Sequence, residues 1–206
     1  MVIGVDLDNT IISYDRVLNE LAAGEGLVES GPPLSKRALR DRLRRRPGGE
    51  DAWRRLQALI YGPLIDRAEP IDGVTDFFRL SRREGAACRI VSHKTEFANN
   101  HDTGANLREA AMGWLRRQGF FDPEGAGLDP AEVFFESDRR SKIARIAELG
   151  CAYFIDDLAE TFREEGFPET TRKILYDPAG DAQPPAGAFL ARDWREIREL
   201  VLGRAH

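Results

Sequence analysis

The stretch Val2-Ile3-Gly4-Val5-Asp6-Leu7-Asp8-Asn9-Thr10 decides the reading of this 206-residue chain. Four apolar residues give way abruptly to a loop carrying two carboxylates, an amide and a hydroxyl. A continuously apolar run of this length suits a strand buried on both faces of a parallel sheet. In open α/β sheets, ligands bind at the carboxyl ends of the strands, so what stands at those ends carries the chemistry.

Working outward, Cys88 to Val91, Val133 to Phe135, Ala152 to Ile155 and Ile174 to Tyr176 are similar apolar runs, with Ala188 to Leu190 a weaker sixth. Helical patterns separate them at Val74 to Glu84, Asn106 to Gln118, Ser141 to Leu149, Leu158 to Glu165 and Trp194 to Leu202, the last opened by a capping pair, Asp193 and Glu196. The alternation predicts a doubly wound α/β fold with a parallel sheet. Residues 14–68 interrupt it with helical periodicity (Leu39 with Leu43; Trp53, Leu56 and Ile60) broken at Pro32-Pro33 and Pro47-Gly48-Gly49. The predicted organisation is therefore an α/β core of residues 1–13 and 69–206 with a small helical insertion at 14–68.

Composition bounds the possibilities. With 42% hydrophobic and 32% charged residues the chain is globular. No uncharged run exceeds ten residues, against roughly 20 for a membrane-spanning helix. The opening residues carry an acid at position 6 and no base before Arg16, unlike a secretory signal, and Cys88 and Cys151 lack metal or redox spacing. The expectation is a cytoplasmic protein with two reduced core cysteines. The net charge of −5 conceals nine bases and three acids between Lys36 and Arg55, either an anion-facing surface or a solvated helix face.

At the predicted strand ends stand Asp6, Asp8, Asn9 and Thr10, then Ser92-His93-Lys94, then Asp156-Asp157, with Lys142 opening the helix before the last of these strands. Four converging carboxylates repel one another unless a cation sits among them. All-oxygen ligation favours a hard ion such as Mg²⁺, which leaves positions open for a phosphate. Ser92 and Lys142 are suited to the remaining phosphoryl oxygens as hydroxyl donor and point charge.

This set resembles the haloacid dehalogenase superfamily, matching its four motifs in order: Asp-x-Asp-x-Thr after a strand (Val2 to Thr10), a strand ending in Ser (Arg89 to Ser92), a Lys near a helix start (Lys142), and a strand ending in paired acids (Tyr153 to Asp157). The resemblance implies strand order 5-4-1-2-3, with residues 14–68 in the place of a first cap domain. It implies Asp6 as nucleophile and Asp8 as general acid and base. Asp6, the backbone carbonyl of Asp8 and Asp156 would hold Mg²⁺, with Asp157 a direct or outer ligand, and the resemblance leaves open which of the pair touches the ion. Backbone N–H groups of Leu7 and Asn9 would join Ser92 and Lys142 around the phosphate, and the Thr10 hydroxyl would steady the loop.

Dehalogenases and phosphonate-cleaving members lack an acid at the position of Asp8, so the resemblance implies cleavage of a C–O–P bond. The expected activity is a Mg²⁺-dependent phosphatase acting on a small phosphorylated metabolite, a sugar phosphate or nucleotide. Alternatives are a phosphotransferase or phosphomutase, a polynucleotide-end phosphatase using the arginine-rich segment, and a catalytically silent binding module. A nucleic-acid partner is not expected, no membrane association is expected, and oligomeric state is open. His93, Lys94 and Arg45 are the candidate substrate contacts; Asn99, Asn100 and His101 are either further contacts or ordinary loop residues. Asp138 reads as a helix N-cap ahead of a role beside Lys142, and Trp53 and Tyr61 as helical core ahead of substrate stacking.

Overall fold

The computed structural model of the chain describes residues 1–29, 31–98 and 103–203. Its strands in chain order are β1 (Val2–Val5), β2 (Ile12–Ser13), β3 (Glu69–Pro70), β4 (Ala87–His93), β5 (Val133–Glu136), β6 (Tyr153–Asp156), β7 (Arg172–Tyr176) and β8 (Ala188–Ala191). The helices are α1 (Asp15–Gly24), α2 (Lys36–Arg44), α3 (Gly49–Tyr61), α4 (Val74–Arg83), α5 (Leu107–Arg117), α6 (Arg139–Glu148), α7 (Ala159–Arg163) and α8 (Trp194–Leu202). Six strands form one parallel sheet in the order β5-β4-β1-β6-β7-β8, and β2 pairs with β3 as a short ribbon. Counting only the strands of the large sheet, this is the expected order with a sixth strand added beyond the fifth. Among the described residues no helix is long and apolar enough to cross a membrane.

The chain divides into two compact units, one of Met1–Ile11, Pro70–Thr95 and Leu115–His206, the other of Ile12–Glu69 and Glu96–Trp114. In the first, β1 occupies the middle of the sheet, hydrogen-bonded to β4 on one side and β6 on the other. Apolar side chains cover both faces. Ile143 and Ile146 of α6 and Phe162 of α7 pack with Val91, Phe154 and Leu175. Phe77 and Phe78 of α4, Phe120, Tyr176 and Trp194 of α8 form a chain of ring contacts elsewhere in the same core. Gly4 interrupts the apolar run of β1 because a Cβ there would meet the Phe154 ring at 2.5 Å and the Cys151 sulfur at 2.9 Å. Both cysteines are free and buried, and burial pushes the Cys88 thiol up to about 12 and that of Cys151 to about 11, as inert core residues require.

The second unit is helical. Leu39 and Leu43 of α2, and Trp53, Leu56 and Ile60 of α3, are buried at the spacing the sequence predicts, which makes Trp53 core. Ser35 caps α2 by accepting from Ala38 N at 3.3 Å. Only glycine fits at position 49, where a Cβ would lie 1.8 Å from the Leu43 carbonyl oxygen. The sequence pattern confines the non-core part to 14–68, whereas Glu96–Trp114 also belongs to this unit. Local reasons are visible: Leu107 N donates to Glu96 O (2.7 Å), and Trp114 Nε1 donates to Ala68 O (3.0 Å).

Candidate active site

All the principal motif residues lie in the first unit. Asp6 stands one residue beyond β1, its N–H donating to Ile155 O at 2.9 Å, so the chain leaves the sheet at a fixed point. Leu7 is fully buried and its carbonyl accepts from Ile11 N (2.9 Å), closing the loop. Asn9 has φ of 65°, the only described non-glycine residue in the left-handed region; asparagine is among the few residues that tolerate it. Thr10 departs from expectation. Its buried hydroxyl has no hydrogen-bond partner among the described residues, and the loop is held instead by its carbonyl, which accepts from Trp194 Nε1 (3.1 Å).

Lys142 sits in the first turn of α6, whose N-cap is Asp138: Asp138 Oδ1 accepts from Ser141 N (2.7 Å) and Oδ2 from Ser141 Oγ (3.0 Å). The cap reading of Asp138 is therefore the structural one. The Lys142 ammonium lies 2.6 Å from Asp6 Oδ1 and 2.7 Å from Asp156 Oδ2, and 5.3 Å over the Phe154 ring. Asp156 ends β6, is fully buried, and its second oxygen accepts from Leu158 N at 2.8 Å. Asp157 Oδ2 accepts from Asn9 Nδ2 at 3.4 Å, a tie between the first and last motifs that sequence pattern does not reveal.

Two electrostatic consequences follow. Burial pushes the Asp6 carboxyl up, Lys142 pulls it back, and the neighbouring Asp156 and Asp8 push it up again, leaving it raised from 3.8 to about 7. Burial alone would lower the Lys142 ammonium, but Asp156 and Asp6 outweigh it and hold the group above its ordinary value.

The alternation of β4 sorts the second motif. Ser92 and Lys94, two apart, are both buried, at 1% and 4% exposure. His93, between them, is exposed, and its ring Nε2 meets Ser137 O at 3.2 Å rather than the carboxylates. Lys94 Nζ bridges both oxygens of Asp8, at 3.1 and 2.9 Å. As candidate substrate contacts His93 and Lys94 rank alike in the sequence; the two-residue period from Ser92 is the signal that separates them. Arg45 lies just past α2 in the second unit, is exposed, and has no partner among the described residues. Asn99, Asn100 and His101 lie outside the described residues.

Asp6, Asp156 and Asp157 each offer a carboxylate oxygen within 4.8 Å of the others. Asp6 and Asp156 each give one oxygen to Lys142, and the second oxygen of Asp156 accepts from the Leu158 N–H. Four carboxylates against two ammoniums leave a deficit that one divalent cation fills, and the all-oxygen donor set suits a hard ion. The residues fit Mg²⁺.

The fold matches that of solved hydrolases of the haloacid dehalogenase family. A hydrolase of that family from Deinococcus radiodurans, with bound phosphate and sodium, superposes with a TM-score of 0.60 at 14% identity, covering 97% of this chain and 94% of that one. A hydrolase of the same family from Bacillus subtilis, bound to magnesium, gives 0.55 at 13% identity, covering 97% of each chain. An L-2-haloacid dehalogenase gives 0.57 at 16% identity, covering 98% of each. No family sequence model and no curated protein matches the chain. The fold is thus shared by hydrolases of different chemistry.

Proposed function

We propose that the protein is a Mg²⁺-dependent phosphatase that hydrolyses a phosphate monoester of a small metabolite through an aspartyl-phosphate. The observation that carries the reading is Asp8: a second carboxylate two residues after Asp6, partly buried and held by an ammonium, is the acid–base group that ester cleavage needs and that dehalogenation does not.

In the first step an Asp6 oxygen attacks phosphorus, the P–O ester bond breaks, and Asp8 delivers its proton to the departing alkoxide. The Ser92 hydroxyl, the Lys142 ammonium and the backbone N–H groups of Leu7 and Asn9 hold the phosphoryl oxygens. In the second step Asp8 takes a proton from water as its oxygen attacks phosphorus, and the bond to Asp6 breaks, releasing phosphate. Asp6, the Asp8 carbonyl, Asp156 and Asp157 would hold Mg²⁺, which when bound neutralises charge developing on the phosphoryl oxygens.

A small metabolite suits the charge distribution better than nucleic acid. In the basic segment Arg40 pairs with Asp41, Arg44 and Arg54 with Glu50, and Arg55 with Glu25, so much of its charge is already answered within the chain. A cytoplasmic location agrees with free, buried thiols. The test is a turnover screen with Mg²⁺ that measures phosphate release from phosphorylated metabolites and chloride release from 2-chloroacids in parallel. Phosphate release from at least one monoester is expected; chloride release with no phosphate release overturns the assignment.

A further inference from the structure

Each aspartate of the first motif has its own buried lysine. Lys142 serves Asp6 together with Asp156, whereas Lys94 is directed at both oxygens of Asp8. Taking an ammonium out of water is costly, and a buried ion pair returns little net stability, so the pair is poorly explained by folding alone. The lysine is also held in place at its backbone. Its N–H donates to Glu136 O (2.9 Å), extending the β4–β5 ladder one step beyond His93, and Arg145 in turn binds the Glu136 side chain at 2.9 Å. Strand periodicity then puts the Lys94 side chain on the same side as Ser92, while His93 is tied to Ser137.

We propose that Lys94 is a positioning residue: its ammonium fixes the direction of the Asp8 carboxyl, and so determines how well Asp8 meets the leaving oxygen. The inference rests on the phosphatase reading and deepens it. A carboxyl on one Cβ swings through two torsions, and proton delivery needs it within hydrogen-bond reach of the ester oxygen in the transition state. Lys94 restricts the swing from a rigid strand end.

Leaving-group dependence tests this, because a poor leaving group needs the proton and a good one does not. The protein is assayed with Mg²⁺ on an alkyl phosphate from the substrate screen and on p-nitrophenyl phosphate, whose phenolate departs unprotonated. The parameter is kcat/KM, which reports the first displacement. Lys94→Met should lower kcat/KM for the alkyl ester by about 10- to 100-fold and for the aryl ester by less than about threefold. Asp8→Asn should show the same selectivity, and the double variant should be no slower on the alkyl ester than Asp8→Asn alone, since Lys94 acts through Asp8.

Equal losses on both esters would show that Lys94 holds the phosphate and overturn the proposal, as would multiplicative losses in the double variant. Lys94→Arg keeps the charge and covers the case in which Lys94→Met does not fold. The same selectivity at smaller size supports the proposal, and parallel losses overturn it. If the unmodified protein releases no phosphate from either ester, the phosphatase reading fails and takes this inference with it; turnover with parallel losses defeats the role of Lys94 alone.

Discussion

The two charge-rich regions of this molecule handle charge in opposite ways. At the strand ends of the first unit, Asp6, Asp156, Lys94 and Lys142 are all buried, and their partners come from distant parts of the chain. In the helical unit, Arg44 and Arg54 share Glu50 and Arg16 and Arg67 share Glu20, on exposed surfaces and with several partners within a few residues. Similar residues therefore carry different energies. Buried charges interact strongly and suffer when a partner is lost, whereas exposed pairs are screened by water and salt. Charge density along a sequence does not distinguish the two; desolvation does.

The largest effect expected from this contrast is in the buried set. Asp6→Asn should remove turnover to below about a thousandth of the parent rate, because an amide is a poor nucleophile, while circular dichroism shows an unchanged fold. Residual activity of several per cent would deprive Asp6 of its role. Next, Lys142→Met should destabilise the metal-free protein by about 3–5 kcal/mol, since Asp6 and Asp156 remain buried without their cation. Denaturant unfolding measures it, and a loss comparable to that of an exposed arginine would erase the distinction between the regions.

A smaller effect follows from the raised Asp6 carboxyl. Between 3.8 and about 7 the folded metal-free protein keeps a proton there that the unfolded chain has released. Stability should therefore fall as pH rises through that interval and level off above it. Mg²⁺ should flatten the dependence and Asp6→Asn should abolish this part of it, both visible in thermal midpoints taken across pH in EDTA and in Mg²⁺. A midpoint in EDTA that rises over the same interval, with Asp6→Asn parallel to the parent, would contradict it.

The smallest effect belongs to the helical unit. Arg44→Gln and Arg45→Gln should each move the thermal midpoint by no more than about 2 °C. If the cluster attracts an anionic substrate, replacing Arg44, Arg45 and Arg46 together should raise KM several-fold at low salt and leave kcat unchanged, an effect that fades as salt rises. Arg44 already pairs with Glu50 and Arg46 bonds the Leu27 carbonyl, so Arg45 is the member with most charge to offer. An unchanged KM at low salt makes the cluster a solvated face.

Much of the first unit is legible in the sequence. The apolar runs are the six strands of the sheet, and the helix predicted over Trp194–Leu202 has those bounds, with Asp193 accepting from Glu196 N at 2.8 Å. These features are local: a strand buried on both faces must be apolar throughout, and a helix start needs an acceptor for its first N–H groups. Thr10 shows the limit of such reading, since the hydroxyl in the expected place has no hydrogen-bond partner among the described residues, whereas its carbonyl accepts from Trp194, 184 positions away.

Periodicity and capping act over a few residues, so the class of fold and the set of groups at the carboxyl ends of the strands can be read along the linear chain. Which of those groups meet depends on packing. Lys142 joins Asp6 across 136 positions, Lys94 joins Asp8 across 86, and Asn9 reaches Asp157 across 148. Glu96–Trp114 likewise joins the helical unit, although the sequence pattern assigns residues 69–206 to the α/β core. Such choices depend on which buried polar groups can satisfy one another once water is excluded, and that energy belongs to the packed chain and to no local stretch of it.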